Sequence, residues 1–359
     1  MNIGGVEKSF LNLLSTLDPE KFEIDLLLLV KKGGFLLDLP EYVNVRELSV
    51  YSKYREEVSM PTHLLAKKRF GEGRVLRGLQ LGYLSFKNKV HGSTYPLLQW
   101  VFRHESVYEK KYDVAVSYAS PFMFIDYYVV NRVKADKKIC WIHFDISKSG
   151  IDKKATQIIY KGFDKINIVS SDAKRIFDET FPALSAKTSL RYNEINPKDL
   201  WNKASEFNPR EQHKCRPFVI STVGRVSGEK GQLATIYVLR QLIDAGYDVE
   251  WWYVGEGNML NSCIEKTNDL GVSDRAKFFG AQKNPYPYML HSDVYVQPSV
   301  YEGFCITLAE AKVLKRPIVS TNFTGAKEQL MDYEPSKVVS HTINDLFEGV
   351  KELLDSSKK

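Results

Sequence analysis

Short apolar runs alternate with amphipathic stretches from one end of the chain to the other. The runs at 22–30, 44–50, 112–118, 138–144, 165–170 and 187–192 are each short enough for a buried strand. A second series follows at 217–224, 248–255, 276–280, 293–299, 316–321 and 337–340. Between most of them the pattern changes to helical periodicity. Residues 304–315 place Ile306, Leu308, Ala309, Ala311 and Leu314 at apolar positions, and 344–354 place Leu346, Val350, Leu353 and Leu354 on one face. Strands alternating with helices predict an α/β chain with largely parallel, doubly wound sheets.

Two series of strands call for two cores, and 359 residues are enough for both. The polar stretch 196–216, with Pro197 and Pro209 inside it and Pro217 directly after, reads as a linker. The expected domains are 1–195 and 217–359. Hydrophobic content of 43% and charged content of 26% are those of an ordinary globular chain. No apolar run reaches the ~18 residues of a membrane span. No basic segment followed by an apolar one opens the chain. Cys140, Cys215, Cys263 and Cys305 are widely spaced and form no C-x-x-C pair. They suit reduced thiols in a cytoplasm better than disulfides or zinc.

The net charge of +6 is unevenly spread, since residues 51–111 hold twelve Lys or Arg against five Glu. Within 67–89 the cations Lys67, Lys68, Arg69, Arg74, Arg77, Lys87 and Lys89 interleave with Phe70, Leu76, Leu79, Leu81, Tyr83, Leu84 and Phe86. Two readings fit. The stretch either docks on an anionic membrane or is a helix pair whose apolar face packs on its own domain. No nucleic-acid motif accompanies the charge, so nucleic acid is not an expected partner.

The most informative stretch is 293–310, DVYVQPSVYEGFCITLAE. It reads as a strand over 293–299, a turn over 300–303, and a helix opening at Phe304. The turn falls at the carboxyl end of a parallel strand, where open sheets place their ligands. The first helical turn would leave the N–H groups of Phe304, Cys305, Ile306 and Thr307 free to receive a diphosphate. Glu302 precedes that corner and Glu310 follows it, so the two carboxylates could hold sugar and ribose hydroxyls.

Glu302 to Glu310 reads E-G-F-x-x-x-x-x-E. This resembles the E-x7-E signature of retaining, nucleotide-sugar-dependent glycosyltransferases of family 4, which have the GT-B fold of two Rossmann-like domains facing a cleft. Other segments resemble the same family in its order. Gly4-Gly5 resembles its glycine-rich loop, and W-I-H-x-D resembles its segment whose histidine lies beside the transferred sugar, which implies that role for His143 and an acceptor-side role for Asp145. Arg225 and Lys230 match G-R-x4-K-G, which holds the donor diphosphate. Gly255 and Gly257 match V-G-x-G, Phe279 falls at the nucleobase position, and Gly325 to Glu328 match G-x-x-E.

The resemblance implies transfer of a sugar, with retention, from a nucleoside-diphosphate sugar. Glu302, His143, Arg225 and Lys230 would act on the reacting groups, and Glu310 would hold the ribose. A uridine nucleotide and a glycan or lipid-linked acceptor at the inner face of the cytoplasmic membrane are expected from the family. No metal or other cofactor is implied. A sugar-nucleotide epimerase or hydrolase, and a non-catalytic scaffold, are the alternatives. The family's first strand precedes its glycine loop, but only three residues precede Gly4. That strand is therefore expected to be missing, along with a closing helix after Leu354.

Overall fold

The computed structural model describes residues 1, 4–148, 150–212 and 216–357. The α/β class expected from the apolar pattern is what forms. Leu17–Tyr192 make one compact unit, and Asn193–Lys359 make the other together with helix α1 (Gly5–Thr16).

The first unit contains β1 (Ile24–Leu28), β2 (Val43–Glu47), β3 (Lys111–Ser120), β4 (Lys134–Ile142), β5 (Lys165–Ile168) and β6 (Thr188–Leu190). Strands β3 to β6 form a parallel sheet in sequence order, while β1 and β2 form a separate parallel pair. Between β1 and β3 side chains make the link: Asp25 accepts from Lys110 Nζ at 2.9 Å and from the Tyr112 hydroxyl at 2.6 Å. Val114 and Val116 of β3 are exposed. The core gathers Cys140, Ile142, Ile166 and Ile168 with Phe102, Phe124, Tyr160 and Phe177. Each such side chain removed from water contributes about 1.5–3 kcal/mol before entropy is counted.

The basic stretch folds as helices Thr62–Gly71 and Val75–His91. Part of its apolar surface packs on its own domain and part does not. Leu81 and Leu84 pack into the core, but Leu76, Leu79, Tyr83, Phe86 and Val90 are exposed. Their three- and four-residue spacing lines them along one side of the helix. Of the cations, Lys68 pairs with Glu56 at 2.7 Å and Arg69 pairs with the same carboxylate. Arg77 pairs with the buried Glu57 at 2.7 Å and lies 4.2 Å over Trp100. Lys67, Lys87 and Lys89 are exposed.

The second unit contains β7 (Phe218–Val223), β8 (Val249–Val254), β9 (Ala276–Phe278), β10 (Val294–Gln297), β11 (Ile318–Thr321) and β12 (Ser336–Val339). Its sheet is parallel throughout, in the order β12-β11-β10-β7-β8-β9. Both faces are covered, which is why these strands read as continuous apolar runs. Ile220, Trp251 and Val296 point to one core, and Val219, Trp252 and Tyr295 to the other. The chain runs outward from β7 through β8 to β9, then crosses to β10 on the other side. The order reverses between β7 and β10, which makes their carboxyl ends the switch point of the sheet.

Two expectations about domain organisation need correction. The supposed linker opens with a helix, Pro197–Ala204, capped by the Asn196 side chain accepting from Asp199 N at 3.2 Å. Its Leu200 and Ala204 are buried in a core of the second unit. Polar neighbours masked an apolar face four residues apart. Helix α1 packs with the second unit instead of the first, with Ser9 Oγ donating to Asn193 Oδ1 at 2.6 Å.

Candidate functional site

At the end of β7 the chain runs through Gly224, Arg225 and Lys230 into the helix Gln232–Asp244. Gly231 makes the final turn with φ of 72°, and a Cβ there would lie 2.1 Å from the Pro298 carbonyl oxygen. Only glycine allows both. The Val300 N–H donates to the Glu229 carbonyl at 2.8 Å. The loops after β7 and β10 are thus fastened backbone to backbone, and this brings Lys230 Nζ to 2.5 Å from Glu302 Oε1. Two sequence-predicted residues, 72 positions apart, meet at the switch point.

The pair is further held from below. Ser299 Oγ donates to Glu302 Oε1 at 2.7 Å, Gln297 Nε2 donates to Ser299 Oγ at 2.8 Å, and Thr307 Oγ1 donates to Gln297 Oε1 at 3.0 Å. Burial works against the Lys230 ammonium, but the Glu302 carboxylate outweighs it and raises the pKa. Burial and the charge of Glu302 push the Cys305 thiol up to about 12, so it is no nucleophile here. Arg225 differs from Lys230: its side chain is 67% exposed, and its carboxylate neighbour Glu229 lies 3.9 Å away.

The helix after β10 is Ile306–Val313, with Cys305 in extended conformation before it. It begins two residues later than expected, because Phe304 and Cys305 still belong to the turn. The first-turn donors therefore start at Cys305 and include Ile306 and Thr307, and Phe304 lies outside the helix.

Glu310 lies one turn further on and is fully buried. Its Oε1 accepts from the Tyr286 hydroxyl at 2.9 Å and contacts Lys8 Nζ at 2.9 Å. Its Oε2 has no hydrogen-bond partner. Burial and the Glu310 charge raise the Tyr286 phenol far above its ordinary range, so it remains a donor. Neither Lys8 nor Tyr286 was singled out from the sequence. Tyr286 has no motif signal, whereas Lys8 stands three residues after the glycine pair.

The other predicted positions serve the scaffold in visible ways. A Cβ on Gly255 would lie 1.9 Å from the Gly224 oxygen, and one on Gly257 2.0 Å from the Val226 oxygen. Both glycines let the loop after β8 press against the loop after β7. Phe279 packs against Trp252 and Tyr288, and its carbonyl accepts from Gln282 Nε2 at 2.6 Å. Gly4 and Gly5 open α1, with Gly5 near the Ile306 side chain.

In the first unit His143 follows β4 and is buried, with ring centroids 4.7 Å from Tyr118 and 6.3 Å from Trp141. Burial lowers its pKa to about 4. A backbone group of Tyr118 opposes that shift without closing a full hydrogen bond, so both ring nitrogens lack a partner. The imidazole is neutral at physiological pH. Asp145, also buried, accepts from Ser147 N at 2.8 Å. Among the described residues no cluster of three or more His, Cys, Asp or Glu is arranged to hold a metal ion.

Residues 204–359 match the family described as glycosyl transferases group 1. The chain is 30% identical over 205 residues to an uncharacterised glycosyltransferase of Methanocaldococcus jannaschii, covering 54% of this chain and 50% of that one. It is 25% identical over 210 residues to a Campylobacter jejuni enzyme, N-acetylgalactosamine-N,N'-diacetylbacillosaminyl-diphospho-undecaprenol 4-alpha-N-acetylgalactosaminyltransferase, covering 58% of this chain and 55% of that one. The chain thus spans about half the length of these curated relatives. Anabaena HepE, solved in complex with UDP, superposes with a TM-score of 0.68 at 16% identity, over 99% of this chain and 88% of that one. The fold is GT-B, with two Rossmann-like units.

Proposed function

We propose that the protein is a retaining glycosyltransferase that moves a sugar from a nucleoside-diphosphate sugar, a UDP-sugar, to a glycan or lipid-linked acceptor. The observation that carries this is the Lys230–Glu302 pair at the β7/β10 switch point. A cation and a carboxylate meet where an open parallel sheet takes its ligand, and a helix starts a few residues after the carboxylate. On the helix that follows, Glu310 keeps a buried oxygen that lacks a donor among the described residues. The match to group 1 glycosyltransferases covers these residues, and the UDP bound to HepE supports the choice of nucleotide.

Lys230 is neutralised by Glu302. A donor diphosphate brings more negative charge and draws the ammonium to itself, freeing Glu302 to accept hydroxyls of the sugar. As the glycosidic bond to phosphate breaks, charge grows on the leaving diphosphate and an oxocarbenium-like centre develops. Lys230, Arg225 and the Ile306 and Thr307 amides would stabilise that charge. Glu310 receives the ribose. In the first unit a neutral His143 can donate to or accept from a sugar hydroxyl, and Asp145 serves the acceptor side.

The exposed row of Leu76, Leu79, Tyr83, Phe86 and Val90, flanked by Lys87 and Lys89, supports peripheral contact with an anionic membrane on the cytoplasmic side. Among the described residues no helix is long and apolar enough to cross a membrane.

The test is calorimetric titration with UDP, GDP, ADP and TDP, followed by release of the nucleotide from the matching sugar donors. UDP binding that weakens in Lys230→Ala is expected. No binding of any of the four removes the donor site from this chain.

A further inference from the structure

We infer that Lys8 is a positioning residue of the nucleotide site, because it occupies one oxygen of Glu310 and leaves the other to receive the ribose. The inference rests on the assignment of Glu310 to the ribose given above. A carboxylate with no exposed surface stays charged only beside a compensating cation. Lys8 supplies it from a helix more than 300 residues away in sequence, at 2.9 Å from Oε1. The same ammonium lies 4.3 Å from the centre of the Tyr286 ring, whose hydroxyl also donates to Oε1. The ring face and the carboxylate together fix where the ammonium sits.

An ionised carboxylate offers about four acceptor sites, two on each oxygen. Lys8 and Tyr286 take the two on Oε1. Oε2 has both of its sites open and no partner among the described residues. A buried acceptor left in that state is costly, so the protein maintains it at a loss unless a ligand completes it. A ribose presents two vicinal hydroxyls, and two donors are what Oε2 lacks. Oε2 is also screened from solvent, so local opening precedes nucleotide entry. The backbone that carries Lys8 is itself anchored: Ser9 Oγ donates to Asn193 Oδ1 at 2.6 Å, and Gly5 lies against the Ile306 side chain.

The experiment titrates UDP and 2′,3′-dideoxy-UDP into the wild type, Lys8→Ala, Lys8→Met and Lys8→Arg. The methionine keeps the stem that lies over Tyr286, so one uncharged variant retains the packing if the other unfolds. The wild type is expected to prefer UDP by at least about tenfold, the size of one hydrogen bond to a charged group. Lys8→Ala and Lys8→Met should lose that preference while holding the dideoxy analogue within about twofold of wild type. Lys8→Arg should restore it. Uncharged variants that keep the full preference overturn the role of Lys8 and leave Glu310 at the ribose. A wild type that binds UDP without preferring it over the dideoxy analogue overturns both.

Discussion

The two units place polar residues at the ends of parallel strands in opposite ways. In the second unit the ends of β7 and β10 carry Lys230 and Glu302, charged and in contact. In the first unit the end of β4 carries His143, neutral and enclosed by Tyr118 and Trp141. The first unit puts its excess cations on its surface, around an exposed apolar row. A strand end therefore supplies location only. The loops decide its chemistry, and glycines such as Gly231 and Gly255 let the loops of the second unit close on one another.

The largest effect should come from the charged crevice. Lys230→Ala is expected to lower kcat by about 10²–10³-fold, as loss of one preorganised donor does. Arg225→Ala should cost less, because its side chain is 67% exposed and solvent screens its charge. Turnover of Lys230→Ala equal to wild type would break the contrast between the units.

His143 sharpens the contrast through pH. Its folded-state pKa of about 4 lies below the ordinary 6.5, so the unfolded chain takes up the proton first as pH falls. The stability it contributes is complete above 6.5 and is lost from there down to about 4, by roughly 3 kcal/mol at most. Asp126, fully buried, acts in the opposite sense: burial raises its pKa to about 6 despite hydrogen bonds from Ser117, Ser120 and Tyr160. The folded chain takes up that proton first, which favours folding at low pH. The two residues partly offset each other. His143→Phe removes one of them, so its urea midpoint should rise relative to wild type between about pH 6.5 and pH 4. A difference independent of pH would show that His143 is not held neutral by burial.

Glu302→Gln tests the charge balance within the crevice. Removing the carboxylate frees Lys230 for phosphate, so UDP should bind several-fold tighter, of the order of 1 kcal/mol, while turnover falls. Calorimetry and nucleotide release measured together check it, and UDP binding that weakens would speak against the pairing.

The smallest effects belong to the surface of the first unit. Sedimentation with anionic vesicles should decline with salt, and each of Lys87→Glu and Lys89→Glu should cost about 1 kcal/mol. Leu79→Gln with Phe86→Gln should reduce binding at all salt concentrations. Vesicle binding that ignores all four substitutions would leave this face without a membrane role.

Much of the molecule was legible in its sequence. Each of the twelve apolar runs became one of β1 to β12, most clearly in the second unit, because a parallel strand covered on both faces has little room for polar residues. The spacings around Arg225, Lys230 and Glu302 could be read for a related reason. A loop that joins a strand to a helix carries its chemistry within a few residues, so local sequence already holds the pattern. Three features were decided only when the chain closed on itself. Helix Pro197–Ala204 was hidden by polar neighbours, and its Leu200 and Ala204 acquired meaning only against the second core. The helix after β10 began at Ile306 because the turn keeps Cys305 extended, which no periodicity reports. The partnership of Lys8 with Glu310 depends on where α1 packs. Hydrophobic periodicity is a local property and survives in one dimension. The compensation of a buried charge requires two distant groups to meet, and only the tertiary structure determines which two.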